Sequence, residues 1–459
     1  MKRMRLNLST VFLVALAFLL PDNVAAKSIK ARKPNIIFIM ADDLGYGDLS
    51  CYGQTHFRTP HLDRMAAEGK RFTQYYSGST VCAPSRCALL TGYHTGHAYI
   101  RGNSPGADNA LRPDDVIVSE ILKSAGYTSG VFGKWGMGDL DNSGAPLKKG
   151  FDQFLGYMAH RHAHKHYTDY LYRDGEKVSF EKPVYSHDLI VKESLRFIRE
   201  NRNKPFFLYL PFAIPHAGME APEEELNRFE GKFPEKPWRN ERSTYVAQDK
   251  PYAAFAAMIT RMDRDVGRLF QLLKDLGIDR DTIVFFTSDN GPHREGGADP
   301  AFFNSAGGLR GIKRDLYEGG IRVPFIVRCP GKIKPGTSDH LAAHWDFLPT
   351  AAELAGVAAP KGLDGISMVP ELLGKKQKQH RYLYWEFFER GFQQAIRMGE
   401  WKGFRPRPDA ALELYHLEND PSEQTNVAEA HPQIVKQLET LLASARTDSS
   451  LWPTTHRKK

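Results

Sequence analysis

The chain has 459 residues, with 62 Lys and Arg, 54 Asp and Glu, 39 Gly, 28 Pro and 41% hydrophobic residues. These proportions belong to a globular protein and exclude a disordered chain, a collagen-like repeat and a disulfide-dense miniprotein. The formal charge of +8 falls to +6 without the four charged residues of the first 26 (Lys2, Arg3, Arg5, Asp22). That excess is modest, and its basic residues are dispersed rather than interleaved with aromatics on one element, which argues against a nucleic-acid partner.

Those 26 residues read as an export signal. Lys2, Arg3 and Arg5 precede the apolar run Val11 to Leu20, Pro21 breaks it, and Val24-Ala25-Ala26 supplies small residues for cleavage. Ten helical residues span only about 15 Å, half a bilayer core, so no stable membrane anchor is expected. The resulting expectation is a periplasmic or extracellular protein.

Pro34-Asn35 then opens Ile36-Ile37-Phe38-Ile39-Met40, five apolar residues in a row, which predict a strand buried on both faces and ending in Asp42-Asp43. Pro113-Asp114-Asp115 opens a predicted helix with Ile117, Val118, Ile121 and Leu122 on one face, ended by Gly126 and followed by a strand over 127–132. Ser186 caps a helix carrying Leu189, Ile190, Leu195 and Ile198, before the strand 206–210. A long helix, about 252–276, precedes the strand 282–286. This alternation predicts an α/β protein, a large, mostly parallel sheet covered by helices on both faces. From about Asp364 the texture changes to short aromatic strands, 382–385 and 412–415, and one amphipathic helix, about 432–445. The expected division is a leader (1–26), a catalytic domain (27–360) and a small antiparallel C-terminal subdomain (361–459), with Trp385 and Trp401 in the latter's core.

In open α/β sheets ligands gather at the carboxyl ends of strands. Asp42 and Asp43 follow the first strand, and Asp289-Asn290 follows the strand ending at Phe286. Three carboxylates and an amide on one edge repel one another unless a cation sits among them; hard oxygen donors favour Ca²⁺ or Mg²⁺ over zinc, and flexible geometry leans toward Ca²⁺. The plainer alternative makes Asp42-Asp43 a helix cap and Asp289-Asn290-Gly291 a turn.

The sharpest motif is Cys82-Ala83-Pro84-Ser85-Arg86, followed by Leu89-Leu90-Thr91-Gly92. It resembles the signature of the formylglycine-dependent sulfatases of the alkaline phosphatase-like superfamily, arylsulfatase and N-acetylgalactosamine-6-sulfatase-like branch, and the resemblance runs through Gly319-Gly320-Ile321-Arg322-Val323-Pro324 to Asp420-Pro421. It implies that Cys82 is oxidised to Cα-formylglycine by a formylglycine-generating enzyme that reads Pro84 and Arg86 before folding. The hydrated aldehyde attacks a sulfate ester and can expel sulfate by returning to the aldehyde. The resemblance further implies that Arg86 holds the modified residue and that Lys134 of Gly133-Lys134-Trp135 contacts the sulfate. His216 of Ala213-Ile214-Pro215-His216 and Lys313 stand near the leaving oxygen. Asp42, Asp43, Asp289 and Asn290, together with the modified Cys82, are the implied calcium ligands, the first four in agreement with the strand-end reading.

One departure stands out. Many relatives carry a histidine after the tryptophan, where it helps take a proton from the hydrated aldehyde, and this chain has Gly136-Met137-Gly138. The run His160-Arg161-His162-Ala163-His164-Lys165-His166, if extended, turns four histidines to one side; a zinc site and a solvated loop are both open. Ala163-His164-Lys165-His166-Tyr167 resembles a stretch in a branch of the family that shares the glycine, so His164, or else His162, is expected to replace the missing histidine.

The implied substrate is a sulfated carbohydrate or a small aryl sulfate. Two rivals stand beside the sulfatase reading: a phosphate or phosphonate monoester hydrolase on the same scaffold, and a noncatalytic binder of sulfated glycans in which Cys82 stays a thiol. Four cysteines (51, 82, 87, 329) permit two disulfides, but with Cys82 converted at most one remains.

Overall fold

The computed structural model describes residues 33–103, 109–239 and 244–454; the export-signal segment lies outside them. Ten strands form the main sheet, in the order 336–338, 70–72, 325–328, 282–288, 35–41, 206–211, 128–134, 153–157, 167–173 and 176–185. The five central strands, from Thr282–Ser288 to Gln153–Tyr157, are parallel, and antiparallel pairs extend both sides. The expected α/β architecture is therefore present.

The strand Asn35–Ala41 is wholly buried because both of its faces are covered. Ile37 and Ile39 point into a core built with the helices Pro60–Glu68, Ser186–Asn201 and Pro251–Asp275. Ile36, Phe38 and Met40 point into the opposite core, with the helices Cys82–Thr91, Val118–Ser124 and Phe347–Ala355. Alternation of side chains across a strand turns one continuous apolar run into two packed faces.

Two expectations need correction. The helix expected from Pro113 begins at Val118. Asp115 folds back to accept the Arg112 amide at 2.8 Å, while Glu120 accepts the Ile117 amide at 2.9 Å and sets the later start. Ser186 is the first residue of its helix rather than a side-chain cap. Beyond the strand Gln153–Tyr157 the sheet continues into the hairpin Tyr167–Arg173 and Glu176–Tyr185, whose mixed inner strand and polar, mostly exposed outer strand carry no continuous apolar run. Cys51, Cys82, Cys87 and Cys329 are all free thiols.

At the C-terminal end four antiparallel strands, Leu383–Phe387, Gln393–Met398, Trp401–Arg405 and Glu413–His416, carry the helix Pro432–Ser444. Trp385 is fully buried and Trp401 packs against His416 and His431, so both serve as scaffold. No described helix is long and apolar enough to cross a membrane.

Candidate active site

Register places the acidic residues together. Ala41 pairs with Ser288, so both strands release their next residues at one level: Asp42-Asp43 from one, Asp289-Asn290 from the other. The Asp289 amide donates to Ala41 O at 3.0 Å. Asp43 turns into the left-handed region (φ 67°) and its amide donates to Asp289 Oδ1 at 3.0 Å. Asn290 Nδ2 donates to Asp43 Oδ1 at 2.7 Å, which leaves Asn290 Oδ1 buried without a partner. Gly291 lets this turn lie against Gly319, whose carbonyl oxygen stands 2.0 Å from where a Cβ on Gly291 would be. All four predicted ligands are buried.

Their charge state shows the strain of that gathering. Burial pushes Asp289 up to about 6, with Asp42 and Asp43 adding to the rise against Arg86 and Lys134. Burial also acts on Asp42, but Lys134, His216, Arg86 and Lys313 together hold it well below the usual range. Buried oxygen donors clustered together, one of them unsatisfied, are the donor set a hard divalent cation takes, so the residues fit calcium.

Cys82 opens the fully buried helix Cys82–Thr91, which ends at Gly92 in the left-handed region. Its Sγ lies 3.5 Å from Asp42 Oδ1 and 3.5 Å from Lys134 Nζ. Burial, reinforced by Asp42, pushes the thiol well above its ordinary range. A thiol so held is a poor thiolate nucleophile. One turn on, Arg86 places Nη2 at 2.7 Å and Nε at 3.2 Å from Asp289 Oδ2, and Nη1 at 2.8 Å from Lys134 O. Ser85 Oγ donates to Asp289 O at 2.5 Å and meets His344 Nδ1 at 3.1 Å; no motif in the sequence marks His344.

Two lysines each reach one of the carboxylates. Lys134, the last residue of its strand, sits 2.5 Å from Asp42 Oδ2, and Lys313 sits 2.7 Å from Asp43 Oδ2. His216 Nε2 is 3.5 Å from Asp43 Oδ2, and its Nδ1 is paired with Ala217 O. Burial and the two lysines push the His216 imidazole well below its ordinary range.

The histidine run is not extended. His162–His164 form a 3₁₀ turn, which sends the four rings to different places. His162 stacks on Tyr170 at 4.0 Å and its Nε2 meets Thr168 Oγ1. His166 Nε2 meets His216 O at 2.8 Å. His164 stacks on His216 at 5.1 Å, and His160 meets Gly136 O at 3.1 Å. Among the described residues these four do not form a metal-ligand cluster. His164 lines the cavity, stacked on His216 rather than placed beside Gly136.

Above the acidic floor lies an open cavity of about 410 Å³, with Cys82, Lys134, Lys313, His160, His164 and His216 on its wall. Asn103, Tyr245, Arg314 and Glu389 complete the lining and were not found from sequence. They sit on irregular segments, where no periodicity or motif marks a side chain as inward. Arg314 (φ 75°) pairs with both Glu295 and Glu389, so the C-terminal part contributes to the cavity rim.

Comparison with known proteins matches the sulfatase family model over residues 34–357, and a model described as N-sulphoglucosamine sulphohydrolase, C-terminal, over 312–448. An N-acetylgalactosamine-6-O-sulfatase of Bacteroides thetaiotaomicron is 30% identical, over 91% of this chain and 94% of its own. Human arylsulfatase A is 32% identical, over 93% and 91%. A solved B. thetaiotaomicron structure, from work on metabolism of multiple glycosaminoglycans, superposes with a TM-score of 0.77 at 28% identity, over 91% of this chain and all of that one.

Proposed function

The chain belongs to the sulfatase family and is an enzyme that hydrolyses sulfate esters, and on that premise we propose that it acts on sulfated carbohydrate through a formylglycine at position 82 and a calcium ion. Asp42, Asp43, Asp289 and Asn290 would hold the calcium. The observation that carries the reading is the setting of Cys82. Its sulfur lies at the cavity wall within 3.5 Å of an ammonium, at the edge of a cluster of oxygen donors, with its own thiolate suppressed.

Hydrated formylglycine supplies a hydroxyl nucleophile and a route back to the aldehyde, and calcium supplies positive charge at the sulfate oxygens. The protein's own residues do the rest. Arg86 holds Asp289 by its guanidinium fork and ties it to the end of the strand bearing Lys134. Lys134 and Lys313 flank residue 82 and provide fixed charge for an anionic substrate, the preorganised electrostatics that such transfers need. His216 presents Nε2 on the Lys313 side of the cavity. A bound sulfate offsets the lysine charges that depress this imidazole, so His216 gains proton affinity where the alcohol oxygen departs. His164, stacked on it, fixes the ring plane.

The carbohydrate reading rests on the names of relatives, an N-acetylgalactosamine-6-O-sulfatase among them, and on an open cavity of about 410 Å³ with Asn103, Glu389 and Arg314 to meet hydroxyls. Maturation requires a formylglycine-generating partner reading the segment from Cys82 to Arg86, and the leader reading of residues 1–26 places the mature enzyme outside the cytoplasm. The division at about residue 360 stands as part of the same proposal.

The test combines mass spectrometry of the peptide containing residue 82 with sulfate release from defined sulfated mono- and disaccharides, and with parallel assays on aryl sulfate and aryl phosphate. Conversion of Cys82 with faster turnover of sulfate than phosphate is expected. Phosphate preference assigns the phosphatase rival, and an unmodified thiol in protein from the native host, without sulfate release, assigns the glycan binder.

A further inference from the structure

Gly136 stands where many sulfatases carry a histidine, and the structure shows what fills the space. A Cβ on Gly136 would lie 2.3 Å from Cε1 and 2.5 Å from Nε2 of His160. A side chain at 136 and the present position of the His160 ring are therefore mutually exclusive. The two segments are held together by backbone hydrogen bonds, Trp135 N to Tyr157 O at 2.9 Å and Gly136 N to Met158 O at 3.0 Å. The His160 ring is thus delivered across the strand pair into the place that a residue at 136 would occupy, on the wall shared with Cys82 and Lys134.

Its hydrogen bonding also fixes what it can do. Nε2 lies 3.1 Å from Gly136 O, and a carbonyl oxygen only accepts, so Nε2 carries the proton. In a neutral imidazole Nδ1 then holds the lone pair, and Nδ1 is buried without a partner. His164 lacks this arrangement: its Nδ1 meets Thr244 Oγ1 at 3.1 Å and its ring lies on His216.

We infer that His160 is the base serving residue 82, its Nδ1 accepting a proton from the hydroxyl of the modified residue while Gly136 O holds Nε2–H. The inference rests on the formylglycine reading. When sulfate departs from residue 82 with its C–O electron pair, the remaining hydroxyl gives its proton to Nδ1. Its O–H pair becomes the C=O bond, and the proton remains on the imidazolium of His160 until it is released for the next turnover.

The experiment compares wild type, His160→Ala, His160→Gln and His164→Ala, each with conversion of residue 82 verified by peptide mass. His160→Ala is expected to lower kcat roughly 10²- to 10⁴-fold, the usual effect of losing a general base, with KM changed less than threefold. Added imidazole should restore part of the turnover of His160→Ala and none of that of His160→Gln, whose side chain fills the space. His164→Ala should lose less in kcat. A readout independent of activity is the ¹⁵N spectrum of the full-length Cys82→Ser protein, where His160 should be the Nε2–H tautomer. Turnover of His160→Ala within threefold of wild type, a larger kcat loss in His164→Ala, or an Nδ1–H tautomer would each overturn the assignment. If the alanine variant fails to fold, the tautomer and the glutamine variant decide. A wild-type protein that is unconverted, or converted and inactive on sulfate, instead defeats the formylglycine reading.

Discussion

Lys134 Nζ lies 2.5 Å from Asp42 Oδ2, with both side chains sealed from solvent. Lys313 makes the same kind of contact with Asp43 Oδ2 at 2.7 Å. Each ammonium neutralises a carboxylate that the proposed calcium also needs, so lysine and metal compete for the same negative charge.

That competition predicts opposite signs for binding and turnover. Lys134→Met removes a cation from the cluster and should tighten Ca²⁺ binding about tenfold, equivalent to about 1.4 kcal/mol, while lowering kcat for an aryl sulfate at least 100-fold. Titration calorimetry on the chelated protein measures the first and steady-state kinetics the second. Weaker calcium binding in the variant would place the metal elsewhere. Chelation of the wild type should abolish turnover, with Ca²⁺ restoring it more fully than the smaller, more rigidly octahedral Mg²⁺.

Arg86 predicts a limit on conservative exchange. Its guanidinium reaches Asp289 through two nitrogens and Lys134 O through a third. An ammonium on a shorter stem cannot make this fork. Arg86→Lys should cost about 3 kcal/mol or more in urea unfolding, since Asp289 is left buried and poorly paired, and should lower kcat even in molecules whose residue 82 is shown by mass to be converted. Full kcat in that converted fraction would reduce Arg86 to a recognition element for maturation.

The contrast between what could and could not be read beforehand follows from the range of the signals. Ile36 to Met40 form an unbroken apolar run because both faces of the strand are covered, and Asp42 and Asp289 follow their strands directly, so the sheet and the acidic floor were legible from local pattern. The hairpin 167–185 was not, because its outer strand, Glu176–Tyr185, faces solvent and carries charge. The turn at His162–His164 overrode the extended reading of the histidine run, and with it the expected single-sided array. Asn103, Tyr245, Arg314 and Glu389 meet only in three dimensions. The relation of His160 to Gly136 depends on strand pairing across about 20 residues, which no local pattern encodes.

Lys402 predicts how tightly the C-terminal sheet is bound to the acidic floor. Fully buried, it lies 3.0 Å from Glu318 and 2.9 Å from Glu423. Glu318 is held down to about 2, burial being outweighed by Lys402, Arg397 and Arg322, whereas burial pushes Glu423 up to about 7. Glu318 precedes Gly319, whose carbonyl packs under the Asn290-Gly291 turn. Lys402→Met should destabilise by about 3–5 kcal/mol, the usual effect of stripping one partner from a buried ion pair, and should also weaken calcium binding. Unchanged calcium affinity would show that the Gly319 contact does not transmit the disturbance.

His94 predicts part of the acid sensitivity. Burial pushes it down to about 4 although Asp364 lies 3.4 Å away, and its Nδ1 accepts the Gly96 amide at 3.1 Å. Between pH 6.5 and 4 the unfolded chain takes up a proton that folded His94 refuses. The group's contribution is therefore complete above pH 6.5 and is lost as pH falls toward 4. At about 1.4 kcal/mol per pH unit, that is about 2 kcal/mol between pH 6.5 and 5. His94→Gln, measured by urea unfolding at both pH values, should lose about that much less than wild type over the interval. His166 and His344, also buried and depressed, remain in both proteins, so the difference isolates His94. An identical pH slope in the two proteins would mean that His94 titrates normally in the folded chain, with Asp364 offsetting its burial.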